Sequence, residues 1–381
     1  MPNAPARPKH LIAWVALVGI VALLTTDLIC AQVGREDAPK AEKAGAKLFD
    51  RDNLTAWCVV PFDSKKRGPE ERAAMLERLG FKSLAYDWRA EHIPTFDAEV
   101  EALNRHGIEL TAFWGPAELN DDSRRILDLL KRHGIKSQLW VLADYGPDKV
   151  EGAEQERRVA DAAARVAPLA RAAAEIGCSV GLYNHGGWFG EPENQIAIVE
   201  RLKGQGIDNV GLVYNLHHGH DHLDRFPALL KTMLPYLMAL NINGMDVGGD
   251  RVGRKILPLG QGEEDLKLLR IIRDSGYKGR IGILGHTDDD VEERLLDNLD
   301  GLDWLVPQLD GAEPGPEPRP RTPVPPRPVD AAGLTPRQAA EVAEILAAAR
   351  AGRPVRLPAE PGRRRRPHPD ALPSGPRPRP R

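Results

Sequence analysis

From residue 53 onward the chain alternates short apolar runs with amphipathic stretches, and it does so eight times. Strands are predicted at 54–60, 83–87, 109–114, 137–143, 179–183, 211–215, 239–243 and 281–284. Each is an apolar or period-two run followed by a polar loop and a stretch of helical period, as at 69–79, 96–105, 123–132 and 263–274. Gly80, Gly107, Gly134 and Gly177 stand just past four of these helices, where a glycine ends the last turn. Strands that alternate with helices pair in parallel. Eight such units in about 250 residues match a closed (β/α)₈ barrel. No GxGxxG follows the first strand, which argues against an open doubly wound sheet that holds a dinucleotide.

The flanks read differently. In residues 1–32, Arg7, Lys9 and His10 precede an apolar run at 11–24, and Ile29-Cys30-Ala31 offers a cleavage point after Ala31. The run falls short of the roughly 20 residues of a spanning helix. The expectation is export to the periplasm or beyond, with an uncleaved N-terminal anchor as the alternative and membrane contact through this segment only. Residues 33–52 form a spacer, and 53–311 the barrel. Residues 312–334 are a Pro-rich linker with no means of building a core. Residues 335–351 predict one isolated helix, capped by Thr335 with Pro336 in its first turn. Residues 352–381 are an Arg/Pro-rich tail expected to be disordered; its Arg run reads as a solvated tail, with contact to an anionic surface as the alternative.

The formal charge of −3 conceals that Arg-rich tail, so the remainder is more acidic than the total implies. No basic face lies in the middle of the chain, and no nucleic-acid partner is expected. Cys30, Cys58 and Cys178 lack any CxxC spacing. The cysteines at 58 and 178 are read as buried free thiols rather than a disulfide framework.

In a (β/α)₈ barrel the chemistry sits at the C-terminal strand ends. Those ends read Tyr86-Asp87-Trp88, Phe113-Trp114, Trp140, Tyr183-Asn184-His185, Asn215 with His217 and His218, Asn241 with Asn243, and Gly285-His286. Amides bond hydroxyls in both senses and indole faces cover sugar C–H surfaces, so the rim suits a neutral polyhydroxylated ligand. Trp114, Trp140, Asn184, Asn215, His217, Asn241 and Asn243 are the candidate substrate-binding residues. His185 and His218 are the candidate catalytic bases, because imidazole titrates near neutrality. Glu191, in the loop GEPEN, is a further candidate acid/base. Asp87 and Asp144 read as helix caps, and His106 and His133 as structural residues at helix ends. No Lys/Arg clamp appears at these strand ends, which argues against a phosphorylated substrate.

The order and spacing of these motifs resemble the xylose isomerase-like TIM barrel superfamily of sugar phosphate isomerase/epimerase type. The resemblance runs from about Asn53 to Leu309 and includes LGQGEEDL at 259–266. It implies a divalent ion held by two glutamates, an aspartate and a histidine. At those positions this chain has Tyr183, Asn215, Asn241, and Gly285 or His286. The usual acidic ligands are replaced, and a hard cation would find no carboxylate there. A Zn, Mn or Co ion on His185, His218 and His286 is the alternative metal site. The implied activity is an exported isomerase, epimerase or lyase that takes a proton from beside a carbonyl of a carbohydrate. The rival is a catalytically degenerate barrel that binds carbohydrate.

Overall fold

The apolar runs become eight strands in a computed structural model that describes residues 47–146 and 149–326. They are β1 (Leu54–Trp57), β2 (Ser83–Tyr86), β3 (Glu109–Pro116), β4 (Gln138–Leu142), β5 (Ser179–Tyr183), β6 (Val210–Asn215), β7 (Leu237–Ile242) and β8 (Ile281–Leu284). All neighbours pair in parallel, and β8 returns to β1, closing a barrel in sequence order. The first strand is shorter than predicted. Cys58 takes a positive φ of 54°, which turns the chain out of the ladder after Trp57.

The intervening helices are α1 (Pro69–Leu79), α2 (Phe96–Arg105), α3 (Asp121–Arg132), α4 (Gly152–Glu175), α5 (Pro192–Lys203), α6 (Phe226–Met233), α7 (Asp265–Asp274) and α8 (Val291–Leu309). Helix α3 shows how the sequence sets one up. The Asn120 side chain accepts from the amides of Asp122 and Ser123, acids fill the first turn, and Lys131 and Arg132 close the last. Its buried face carries Ile126, Leu127, Leu129 and Leu130, each worth about 2 kcal/mol of burial. His133 caps its end and its Nε2 lies 2.8 Å from Asp97, while His106 pairs with Glu70 and Glu77; both are structural, as expected.

Inside the barrel, Trp57, Ala85, Ala112, Trp140, Tyr183, Val213, Ala239 and Leu284 form the inner core. Two strand glycines make the room. A Cβ on Gly181 would lie 2.5 Å from Val213 and 3.2 Å from Trp140, and one on Gly282 would lie 1.8 Å from the Asn241 amide oxygen. Cys58 and Cys178 are buried free thiols.

Part of the Pro-rich segment is fastened down. The buried Asp297 of α8 accepts from the Arg321 amide (2.8 Å) and guanidinium (3.0 Å), and from the Thr322 amide (2.8 Å) and hydroxyl (2.7 Å). Thr322 is buried, and the Arg254 guanidinium donates to the Pro325 carbonyl. Up to residue 325, then, this stretch packs on the barrel instead of running free. The export segment at 1–32, the spacer up to residue 46, the predicted helix at 335–351 and the tail at 352–381 lie outside the described residues. Among the described residues no helix is long and apolar enough to cross a membrane.

Candidate functional site

The C-terminal strand ends open on a cavity of about 700 Å³. Its wall takes Trp57 and Cys58 from the end of β1, Asp87, Trp88 and Arg89 from beyond β2, and Trp114 from β3. Tyr183 and His185 come from β5, His217 and His218 from beyond β6, Lys255 and Ile256 from the loop after β7, and His286 from beyond β8. The floor is aromatic. Trp57 donates its Nε1–H to the Tyr183 hydroxyl at 3.1 Å, and Trp114 meets Tyr183 edge-on at 4.8 Å between ring centroids. Trp88 is set by its Nε1–H donating to the Trp114 carbonyl at 2.8 Å.

One side of the wall is an arc of imidazoles. His185 and His218 lie 4.4 Å apart between centroids, His218 and His217 3.8 Å, and His217 and His286 6.2 Å. The arc continues through Phe62, 3.7 Å from His286, to the Arg89 guanidinium 5.4 Å over the Phe62 ring. Burial, followed by the charges of its neighbours, pulls His218 down to about 2. His286 falls to about 4, chiefly by burial with Lys255 and Arg89 adding to it against the opposing pull of Asp288. His185 is lowered and His217 lowered strongly, again first by burial. At neutral pH the arc is therefore neutral, a set of N–H donors and ring acceptors rather than cations.

The opposite side carries an acid. Asp87 is buried, and its Oδ1 accepts from the Val59 and Val60 amides at 3.2 Å each. Its Oδ2 has no hydrogen-bond partner. Burial pushes the carboxyl up to about 6, against the pull of those amides and of Arg89. Asp87 thus ties β2 to the chain beyond β1 and caps no helix; the turn that follows begins at Arg89. Asp144 accepts from the Gly146 amide, capping a turn.

The structure brings His185, His218, His217, Trp114 and His286 to the cavity, but not the other candidates. Asn184, Asn215 and Asn241 are buried between β5, β6 and β7 as a ladder. Asn184 Oδ1 accepts from Asn215 N (2.8 Å) and Nδ2 (2.9 Å), and Asn241 Nδ2 donates to Asn215 Oδ1 at 2.5 Å. Asn243 is turned to the Gly244 carbonyl and the Met245 sulfur. Trp140 lies beneath the floor, 4.7 Å from Trp57, and borders a separate lower cavity of about 120 Å³ together with Asn241. Glu191 points elsewhere, paired with Arg225 at 2.9 Å and with His222 at 3.4 Å. His220 holds the Asp246 and Lys255 carbonyls, and His222 the Tyr214 hydroxyl.

The donor set does not fit a divalent ion on the family pattern. Tyr183 is a phenol whose ionisation burial opposes, Asn215 spends its amide on Asn184 and Asn241, Asn241 offers one unpartnered oxygen without charge, and Gly285 has no space for a side chain: a Cβ there would lie 2.8 Å from Val291. The three-imidazole alternative fails on geometry, since His286 packs on Phe62 with His217 between it and His218. Among the described residues no three His, Cys, Asp or Glu side chains converge as ligands.

Sequence reasoning missed Arg89, Lys255 and Phe62 as cavity residues, and it read Asp87, placed at the strand ends, as a helix cap. Arg89 and Lys255 line the mouth from beyond the strand ends, where no Lys/Arg clamp was expected. Arg89 lies two residues past Asp87, and an Asp-Trp-Arg run so close to a strand end was the available signal. Lys255 arrives on a loop that folds back across β7, which no local pattern announces.

The family model for the xylose isomerase-like TIM barrel matches residues 41–307. No curated protein matches in sequence. Among solved structures, the IOLI protein with a bound zinc atom superposes with a TM-score of 0.53 at 15% identity, over 68% of this chain and 100% of that one. The apo form of 3-keto-D-glucoside 4-epimerase from E. coli gives 0.50 at 16%, over 67% and 98%. A probable 3-DHS dehydratase from Bacillus anthracis gives 0.51 at 13%, over 66% and 98%. At these identities the likeness is one of fold.

Proposed function

The chain belongs to the xylose isomerase-like TIM barrel family, and from that premise we propose that it is a sugar isomerase, epimerase or lyase that moves a proton on the carbon beside a carbonyl. The observation that carries this reading is Asp87, a buried carboxyl on the cavity wall with one oxygen held by two amides and the other unpartnered. A carboxyl raised to about 6 exchanges protons readily at neutral pH. In the proposed step Asp87 takes the C–H proton and the electron pair moves to the carbonyl oxygen, giving an enediolate. Return of the proton by Asp87 to the neighbouring carbon yields an isomer. An epimer takes its new proton from water on the opposite face while Asp87 passes its own to water, and a lyase expels a substituent of the next carbon from the same enediolate. The neutral imidazoles of His185 and His218 donate N–H bonds to the developing oxyanion without first having to lose a charge. A base role for His218 is set aside, because a group held near 2 binds a proton too weakly. Trp57, Trp88 and Trp114 offer faces for the C–H side of the sugar.

The reading is tested by incubating the purified protein in D₂O with a panel of ketoses and keto-glycosides and following the proton beside the carbonyl by NMR. Exchange that disappears in Asp87→Asn supports it; exchange that survives the substitution removes Asp87 from the step. The Asn184–Asn215–Asn241 ladder at positions where the family keeps acids favours a second reading, a barrel that binds sugar without turning it over. Saturable binding with no exchange of any probe would select it. We also propose export, on the strength of Arg7 and Lys9 ahead of the apolar run. Immunoblotting of cell fractions tests it, and a cytoplasmic full-length band would refute it.

A further inference from the structure

Part of the cavity wall is carried by two arginines that do not line it. Lys255 and Ile256 enter the wall from the long loop after β7, and Ile256 packs against the inner core that holds Trp57. Arg254 and Arg294, which support this stretch, are buried to 2% and 1% exposure. A buried guanidinium is costly unless its N–H groups are spent on acceptors. Arg254 donates Nε to Asp246 at 2.5 Å, Nη2 to the Gln261 carbonyl at 3.2 Å and Nη1 to the Pro325 carbonyl. Arg294, near the start of α8, donates Nη2 to the Ile256 carbonyl at 3.3 Å and Nη1 to the Thr322 hydroxyl at 3.4 Å. Each guanidinium thus joins the loop that forms the wall to the chain beyond α8.

That chain is held along its length. Trp304 Nε1 donates to the Gly315 carbonyl at 2.9 Å, and Gln261 Nε2 donates to Glu317 at 3.0 Å. Further on, Arg321 and Thr322 give four hydrogen bonds to the buried Asp297. Six prolines between 314 and 325 restrict the backbone in advance, so less conformational entropy is lost when the segment docks. None of its residues lines the cavity, and it lies past residue 307, where the family match ends.

We propose that residues 315–325 are a positioning element of the cavity: through Arg254 and Arg294 they set Lys255 and Ile256 in its wall. With Thr322 and Pro325 withdrawn, both guanidinium groups keep buried N–H groups without an acceptor and turn toward water. The Ile256 carbonyl, bonded to one of them, and Asp246, bonded to the other, either follow or lose their donor. In both cases the wall shifts over the aromatic floor. The inference concerns the wall itself and depends neither on which molecule the cavity takes up nor on the proton transfer proposed for Asp87.

The test uses the full-length protein, with Arg321→Ala/Thr322→Val to release the segment and hydrogen–deuterium exchange read by mass spectrometry. Exchange at 250–257 is expected to rise at least about tenfold, while peptides from β5 and β6 stay within about twofold of the parent. Thr322→Ser keeps the hydroxyl and should exchange like the parent, whereas Thr322→Val alone should not. The His286 imidazole is held at about 4 chiefly by burial, with Lys255 and Arg89 adding to it against Asp288. Its midpoint, followed by NMR, should rise in the released variant, a change that lower global stability alone would not produce. Should the double variant fail to fold, Thr322→Val and Arg254→Lys carry the same readings, because a lysine cannot bond Asp246, Gln261 and Pro325 together. A loop as protected as in the parent while 313–325 exchange freely overturns the inference, and so does acceleration spread evenly over the strands. If 313–325 stay protected in the double variant, the bonds to Asp297 do not hold the segment, and the inference falls as well.

Discussion

The two sides of the barrel mouth carry different polar groups: neutral amides and imidazoles beyond β5, β6 and β7, and a carboxyl beyond β2. Across β5, β6 and β7 the polar side chains face one another: Asn184, Asn215 and Asn241 bond in sequence and none lines the upper cavity. Across β1 and β2 a single carboxyl faces the cavity wall with half of its bonding capacity unspent. A buried polar group that is satisfied holds structure together, whereas one left open is free to meet something else. The family's habitual metal positions lie on the ladder, where Asn241 keeps one unpartnered oxygen but no position carries a carboxylate, and the proposed chemistry lies on the opposite wall.

The contrast is broken most directly at Asp87. Asp87→Asn keeps an oxygen for the Val59 and Val60 amides but cannot take a proton, and proton exchange beside the carbonyl is expected to fall at least about a hundredfold. Circular dichroism should be unchanged, and a rate within threefold of the parent would end the argument for that wall. Next comes Asn215→Leu, which strands the Asn241 amide and part of Asn184. It should cost about 3 kcal/mol of stability in urea unfolding while leaving probe affinity within about twofold. A large loss of affinity at unchanged stability would return the ladder to the binding site.

The third way is pH. Each imidazole of the arc is held below its ordinary value, so an unfolded chain protonates first as pH drops. The stability tied to neutral His286 and His218 is present above about 6.5 and is lost as pH falls toward their folded values of about 4 and about 2. Asp87 acts in the opposite sense: its raised carboxyl contributes stability below about 4 that is lost as pH rises through about 6. Unfolding followed from pH 7 to 4 should show the loss carried by the imidazoles, opposed by Asp87 and by Asp265, whose carboxyl burial raises to about 8. His218→Gln should flatten that loss and Asp87→Asn steepen it, and a profile identical in all three would contradict the assignment. The smallest effect is expected at Glu191, whose partners lie off the cavity. Glu191→Gln should change stability by no more than about 1 kcal/mol and leave exchange untouched; a tenfold loss of exchange would restore its catalytic candidacy.

The barrel was legible because period-two and helical patterns alternate eight times and glycines punctuate them; Gly80, Gly107, Gly134 and Gly177 all take the left-handed φ that ends a helix. His185 and His218 were legible by position. The asparagines were placed at the right height and on the wrong side, because a strand end does not say whether a side chain turns into the mouth or toward the next strand. Asn241 settles over Gly282, where only the missing side chain of a neighbour leaves space. Asp87 resembled a cap because its partners, the amides beyond Cys58, belong to a turn that exists only once the chain leaves β1 with a positive φ.

The family match stops at residue 307, yet among the described residues the carboxylate of Asp297 accepts from Arg321 and Thr322. A chain cut at 311 would possess every strand and lose the four hydrogen bonds that Asp297 accepts from Arg321 and Thr322. The inherited scaffold has in this way become dependent on a proline-rich clasp, and the true edge of the cooperative unit falls beyond the last helix of the barrel.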